Sequence, residues 1–551
     1  MSYDVSSRVV VIGGGIAGLA TAGLLARQGH AVTLVEKNDT VGGRAGSVEA
    51  DGYRWDAGPS WYLMPEAFDH FFEAMGTSTA AELNLVRLDP AYRVFSGEHE
   101  PIDVRTGVDQ VAELFESIEP GAGEKVRDYL ATATHTYTVA VEYFLYTTFQ
   151  SLLPWLNGEV LRNLTLLVSL LSTSLETWVS RNFTDERLRQ ILEYPAVFLS
   201  SEPAHTPAMY HLLSHTDLVE GVCYPQGGFI EITRALERLA RAHGVDIRSS
   251  VEVTDILTQR SGHSRVPLQG LVNQAAAKLG AREPLVGQGA HEVTGVRVKN
   301  ARGVFETLDA DIVVAAGDMH HTQTRLLPRE LQTIPESSWR RKDPGIGAVL
   351  AFLGVDGELP QLLHHQLLLS ADWDPDFEAI FHAEGDPAAR GAGARSHSIY
   401  VCKPSATDPT VAPAGKENLF VLIPVPAAPS IGGGSAYGEE SPTVAAIVDS
   451  AISQIAEQCR IPDLAGRIEA RYTAGPADFA SRYYSWKGNA IGLAHTLTQS
   501  AFLRGTNASS KVRNLLFAGG TTVPGVGVPM CLISAENVLK RLQGDTSVTP
   551  S

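Results

Sequence analysis

Residues 9–37 read VVVIGGGIAGLATAGLLARQGHAVTLVEK. Val9 to Ile12 is a short apolar run that stops at glycines, the pattern of a buried parallel strand. Gly13, Gly15 and Gly18 keep the G-x-G-x-x-G spacing. The first permits a tight turn, the second lets a pyrophosphate approach the backbone, and the third lets a helix pack closely on the strand. The spacing predicts a helix over 17–28, with its N-terminal N–H groups facing phosphate. Ala31 to Val35 is a second apolar strand, and Glu36 stands at its end. A carboxylate there accepts hydrogen bonds from ribose hydroxyls and repels a 2′-phosphate, which disfavours NADP. Strand, glycines, helix, strand and acid fall in order within about 30 residues, as a dinucleotide site requires.

Working outward, 42–44 is Gly-Gly-Arg, in a loop able to fold back over the nucleotide. Arg44 has a guanidinium fork that matches pyrophosphate oxygens. The stretch VRNLLFAGGTTVPGVGVPMCLISAENVLKRL (512–542) predicts a further strand, a glycine-proline loop and a helix from about 530 to 542. A second glycine loop at a helix N-terminus suits a phosphate or a flavin oxygen. YPQGG (224–228) with its following helix, and LDADIVVAAGD (308–318), which reads as a strand ending in Ala316-Gly317, add nucleotide-domain signals in the middle of the chain. The expected fold class is therefore α/β, with a Rossmann-like domain discontinuous in sequence (1–85, 220–330 and 475–551). A second, α+β domain (86–219 and 331–474) is inserted into it. Residues 261–291 interrupt a strand pair as an insertion with no functional reading.

The chain has 551 residues, which is too long for one ordinary core. Its formal net charge is -18. That makes a poor nucleic-acid binder, and no polybasic patch is present to hold anionic lipid. Any membrane contact must be hydrophobic. The four cysteines show no C-x-x-C spacing, so buried structural thiols are expected and no metal site is read. Only eight residues precede the first strand, too few for a signal peptide, and a cytosolic protein or one on the cytosolic face of a membrane is expected. Residues 144–179 are strongly apolar, but their uncharged core, 163–175, falls short of the about 20 residues a spanning helix needs. A buried core helix and a helix lying in a membrane interface both remain open.

At GGRA (42–45), DAGPSW (56–61), TDERLRQILEYPAVFLSSEPAHTPAMYHLLSH (184–215), YPQGG, DPTVAPAG (408–415) and AGGTTVPGVGVP (518–529) the chain resembles the bacterial-type phytoene desaturases. These are FAD-dependent carotenoid desaturases of the wider amine-oxidase superfamily. The resemblance covers nearly the whole chain except 261–291. It implies FAD rather than NAD, a lipid-dissolved carotenoid substrate, and a membrane-associating helical region, for which 144–179 is the candidate. The expected cofactor residues are Gly13, Gly15, Gly18, Glu36, Lys37, Gly43, Arg44, Gly58, Val253, Gly519, Val528 and Met530. Thr521 replaces the acid that many flavoproteins carry after the C-terminal glycine pair, and Met530 replaces a smaller residue.

The implied reaction moves a hydride from an allylic carbon to flavin and a proton from its neighbour, with quinone or oxygen as electron acceptor. Peripheral association with the cytosolic face of the membrane follows from the substrate. For catalysis, Asp185 and Arg189 are the candidates, four apart on a predicted helix and able to pair near a tunnel; an ordinary helix-start acid with a surface pair is the plainer reading. His205, His211 and His215 read as structural histidines, and Lys487 as a surface lysine. A carotenoid isomerase or ketolase, a C30 diapophytoene desaturase and a flavin protein without turnover are the competing readings.

Overall fold

A computed structural model of the chain describes residues 6–97, 99–149, 164–261, 289–500 and 503–550. Most of the insertion, and 150–163 of the apolar stretch, lie outside these residues. The strand Arg8–Ile12 sits at the centre of a five-stranded parallel sheet. Its neighbours are Ala31–Val35 on one side and Ile312–Ala315 on the other, and Asp246–Arg248 and Leu515–Phe517 form the edges. Val9, Val11, Leu34, Val314 and Leu516 share one core with the helices Ile16–Arg27 and Val528–Gln543. Val10, Val35, Val313 and Phe517 enter a second core on the opposite face. Continuous apolar runs are what a sheet covered on both faces demands. All five strands come from the three segments expected to share a domain.

A seven-stranded mixed sheet is built from strands that all lie within 86–219 and 331–474: Ile468–Ala474, Ile346–Asp356, Lys416–Pro426, Ile399–Cys402, His365–Leu369, Tyr92–Ser96 and Ile102–Val104, in that order. The strand Ile346–Asp356 shows how its two faces divide. Val349, Ala351 and Leu353 pack on the helix Pro442–Gln458, whereas Ala348, Leu350 and Phe352 turn to the opposite core. A period of two does this wherever both faces are covered. The paired strands Leu85–Arg87 and Cys223–Pro225 stand at the expected domain boundaries.

Three expectations shift. The 308–318 run is two strands: Phe305–Asp309 belongs to an antiparallel sheet with His291–Asn300, and Ile312–Ala315 to the parallel sheet. The last helix begins at Val528, not 530, because Pro529 fits a first helical turn, where a missing N–H leaves nothing unpaired. Within 144–179, Leu164–Ser172 and Leu175–Ser180 are separate helices. No helix among the described residues is long and apolar enough to cross a membrane.

Candidate functional site: a glycine cradle opening into an apolar cavity

The glycine loop leaves the central strand at Gly13, whose φ of +100° favours glycine. A Cβ on Gly18 would lie 1.8 Å from the Gly13 carbonyl oxygen, so only glycine allows this helix to meet this strand. At Gly15 the situation reverses: nothing lies within 4 Å of a Cβ there, because the residue faces open space at the N-terminus of the helix Ile16–Arg27. Glu36 accepts from the Gly14 N–H at 2.7 Å and from the Asn38 N–H at 2.8 Å, which locks loop and strand end together. The 42–44 loop does fold back: Gly42 N–H donates to the Gly14 carbonyl at 2.8 Å, and a Cβ on Gly43 would approach Gly15 Cα at 3.3 Å.

Arg44 points its Nη2 at Ser485 Oγ (2.6 Å) and Asn489 Oδ1 (3.2 Å), while its buried Nε has no partner. Desolvation, opposed by Asp318, pulls its pKa down. Lys37 Nζ donates to the Ser481 carbonyl and sits 3.9 Å above the Tyr484 ring. From the other side come Gly519, with φ +105°, and the N-terminus of the 16-residue helix Val528–Gln543. Two helix N-termini therefore converge on one cavity, and their unpaired N–H groups and dipoles favour anionic oxygens. An open glycine, a free buried guanidinium nitrogen and converging helix ends suit a large dinucleotide.

The cavity, of about 780 Å³, continues past this cradle. Of the expected cofactor residues, Gly13, Gly15, Glu36, Lys37, Gly43, Arg44, Gly58, Val253, Gly519, Val528 and Met530 border it. Gly18 does not, and acts through packing. The far arm is apolar, walled by residues such as Leu145, Phe198, Leu350 and Leu422, with Trp61 and Tyr400 on one side. Leu171, Leu497 and Leu503 border it too, and they are 37%, 48% and 48% exposed. Val168, one turn before Leu171, is 56% exposed. This end of the cavity thus meets the surface through large apolar side chains.

Among the described residues, four carboxylates border the cavity: Glu36, Glu252, Asp318 and Asp217. The first three belong to the cradle. Asp217 stands in the arm, buried, with Oδ2 accepting from Tyr194 OH (2.6 Å) and Tyr92 OH (3.0 Å) and Oδ1 unpartnered. Desolvation pushes its pKa up to about 7 against the pull of the two hydroxyls. It sits in a widened helical turn, His215–Glu220, and no motif in the sequence marks it.

Asp185 and Arg189 do not pair. Asp185 caps the helix Glu186–Glu193, accepting from the Arg187 N–H, and its ion pair is with Arg187 at 2.7 Å. Arg189 turns to the Phe183 carbonyl and to Glu186. Neither borders the cavity, because the cap holds the acid at the helix start while the i+4 side chain follows the helix away from it. His211 is buried, bonded to the Ala208 carbonyl, and pushed down to about 4 by burial. His215 meets Thr134 and Glu220, and His205 meets Glu202. Lys487 is exposed and packs over Trp486.

The profile of the family described as "Flavin containing amine oxidoreductase" matches residues 16–541. The "Carotenoid 3,4-desaturase" of Haloarcula japonica is 36% identical over 540 residues, covering 98% of each chain. The "zeta-carotene-forming phytoene desaturase" of Myxococcus xanthus is 31% identical, over 97% of this chain and 93% of its own. Among solved structures, an oxidoreductase from Methanosarcina mazei superposes with a TM-score of 0.56 at 17% identity, over 97% of this chain and 100% of its own. That last likeness is one of fold.

Proposed function

Because the chain belongs to the flavin containing amine oxidoreductase family, with FAD as its cofactor, we propose that it is a carotenoid desaturase acting on phytoene, stepwise toward lycopene. The observation that carries this reading is the single cavity joining a dinucleotide cradle to a long apolar arm that ends at exposed leucines. Polar or charged substrates would lose their hydration in such an arm without regaining it. A hydrocarbon polyene gains by leaving water and fills the arm along its length.

Gly13, Gly15 and Gly43 would hold the pyrophosphate, with Arg44 as a cation. Glu36 would take the adenosine ribose. Gly519, Val528 and Met530 would hold the flavin end, with Lys37, Gly58 and Val253 completing the walls. Bound there, FAD supplies the hydride acceptor. The apolar walls align the C–H bonds and keep water out. Asp217 Oδ1 receives the proton lost from the neighbouring carbon. Its environment leaves a carboxyl near neutrality, which is where a general base works best at physiological pH. Quinone or oxygen would serve as the electron acceptor.

Val168, Leu171, Leu497 and Leu503 support a hydrophobic contact with the membrane surface at the mouth of the arm. This favours the interfacial reading for Leu164–Ser172, with the protein held peripherally on the cytosolic face. One observation supports a second reading: the 36% identical relative is a 3,4-desaturase, which makes a later carotenoid an alternative substrate. Expression in a colourless host making phytoene and in a red host making lycopene separates the two. A red pigment from phytoene, lighter by a pair of hydrogens for each added double bond, supports the first reading. Unchanged phytoene with further-desaturated lycopene supports the second. Purified Glu36→Arg is expected to lack flavin, and normal flavin absorbance in it would refute the ribose contact.

A further inference from the structure

His365 and Cys402 lie directly opposite each other on antiparallel neighbours, the strands His365–Leu369 and Ile399–Cys402. Opposite residues in a sheet point to the same face, so the register alone brings the imidazole and the thiol together. His364 adds a second imidazole, its ring centroid 4.5 Å from that of His365. One ring nitrogen of each histidine and the Cys402 sulfur all lie within 4.8 Å of one another. The three residues are 4%, 0% and 1% exposed.

Each histidine has one nitrogen committed and one free. His364 Nδ1 meets Thr407 Oγ1 at 2.8 Å, and His365 Nδ1 meets the Tyr400 hydroxyl at 2.7 Å. Tyr400 in turn meets Ser60 Oγ at 2.6 Å. Both Nε2 atoms are buried without a partner. In the tautomer that directs both Nδ1 protons at these hydroxyl oxygens, both Nε2 atoms carry lone pairs. One thiol proton cannot satisfy two buried acceptors, so at least one is left without a donor, which is costly in a buried site. An imidazole whose second nitrogen is fixed by a hydrogen bond is the usual arrangement of a metal ligand.

We propose that His364, His365 and Cys402 form a buried zinc site, a use of these residues independent of the carotenoid reading. Two imidazoles and a thiolate are soft and borderline ligands that suit zinc. Ligands about 2.0–2.3 Å from a tetrahedral centre stand roughly 3.3–3.8 Å apart, so small side-chain rotations close the set. On binding, the Cys402 S–H gives up its proton to solvent and its sulfur lone pair goes to the cation, with no change of oxidation state. The zinc fixes the wall of the arm. The Trp61 ring stacks on His365 at 4.8 Å and 18°, and Trp61, Ser60 and Tyr400 all border the cavity.

The test is elemental analysis of the full flavin-loaded protein, purified without a metal-affinity step, followed by cobalt(II) titration of metal-depleted protein. One equivalent of zinc, and a thiolate-to-cobalt charge-transfer band, are expected. Cys402→Ala and His364→Gln should lose the zinc while keeping flavin absorbance. If those variants do not fold, the cobalt spectrum of the unsubstituted protein decides. Flavin-loaded protein that holds no zinc and gives no thiolate–cobalt band overturns the proposal. So does zinc retained in folded Cys402→Ala, which would place the ion elsewhere, for instance at the more exposed Glu202, His205 and His382.

Discussion

The cradle and the arm of the cavity are built on opposite principles. The cradle is made largely of backbone: glycines at 13, 15, 42, 43 and 519, and two helix ends, with charged side chains such as Glu36 and Arg44 set among them. The arm is made of side chains from strands and helical turns far apart in sequence, among them Trp61, Leu145, Phe198, Leu350 and Leu422. Anion recognition by N–H groups needs fixed directions and close approach, which tolerate few substitutions. Enclosing a hydrocarbon needs apolar volume, and dispersion and hydrophobic burial carry no direction. One half should therefore fail abruptly under substitution, and the other by degrees.

The sharpest break is expected at Gly18→Ala, where a single methyl would collide with the Gly13 carbonyl oxygen. It should cost more than about 4 kcal/mol, read as loss of soluble, flavin-retaining protein. Gly15→Ala is the companion, because its methyl meets only open space. That protein should fold and bind FAD roughly tenfold more weakly, about 1.4 kcal/mol, by flavin titration. Equal damage from both would remove the distinction between packing and binding glycines.

Asp217→Asn probes the one carboxylate of the arm among the described residues. Turnover should fall by about 10²–10⁴ with flavin content unchanged. The ionised form accepts the proton, and its pKa is raised to about 7. The rate in the unsubstituted protein should therefore climb with pH toward about 7 and level off above it. Stopped-flow flavin reduction across pH should show that limb disappear in the variant, and a limb that persists would assign the proton to another group.

Leu171→Asp and Val168→Asp test the mouth. Each removes an apolar side chain worth at most about 1.5–3 kcal/mol of burial in lipid. Several-fold weaker co-sedimentation with vesicles is expected, with flavin binding intact. Asp185→Ala gives the smallest effect. Loss of its helix cap should lower stability by about 1 kcal/mol in denaturant titration and leave turnover unchanged. A large loss of turnover there would return Asp185 to the catalytic list.

By itself the sequence determined the order of the cradle's parts: strand, glycine turn, helix, strand and acid. The reason is physical: a glycine turn, a helix start and the carboxylate of Glu36 act over short spacings, so their order along the chain already states their geometry. The tertiary structure alone decided the rest. Asp217 is an unremarkable acid until Tyr92 and Tyr194, contributed by other elements, close on it. Asp185 and Arg189 have the spacing of a pair, yet a backbone cap and Arg187 hold the acid elsewhere. Arg44, legible as a phosphate cation, also turned out to be held by Ser485 and Asn489 from the far end of the chain. Cys402 reads as a plain buried thiol because no local spacing links it to His364 and His365. Strand register places it there, and register depends on which strands pair, which the packing of both sheet faces settles.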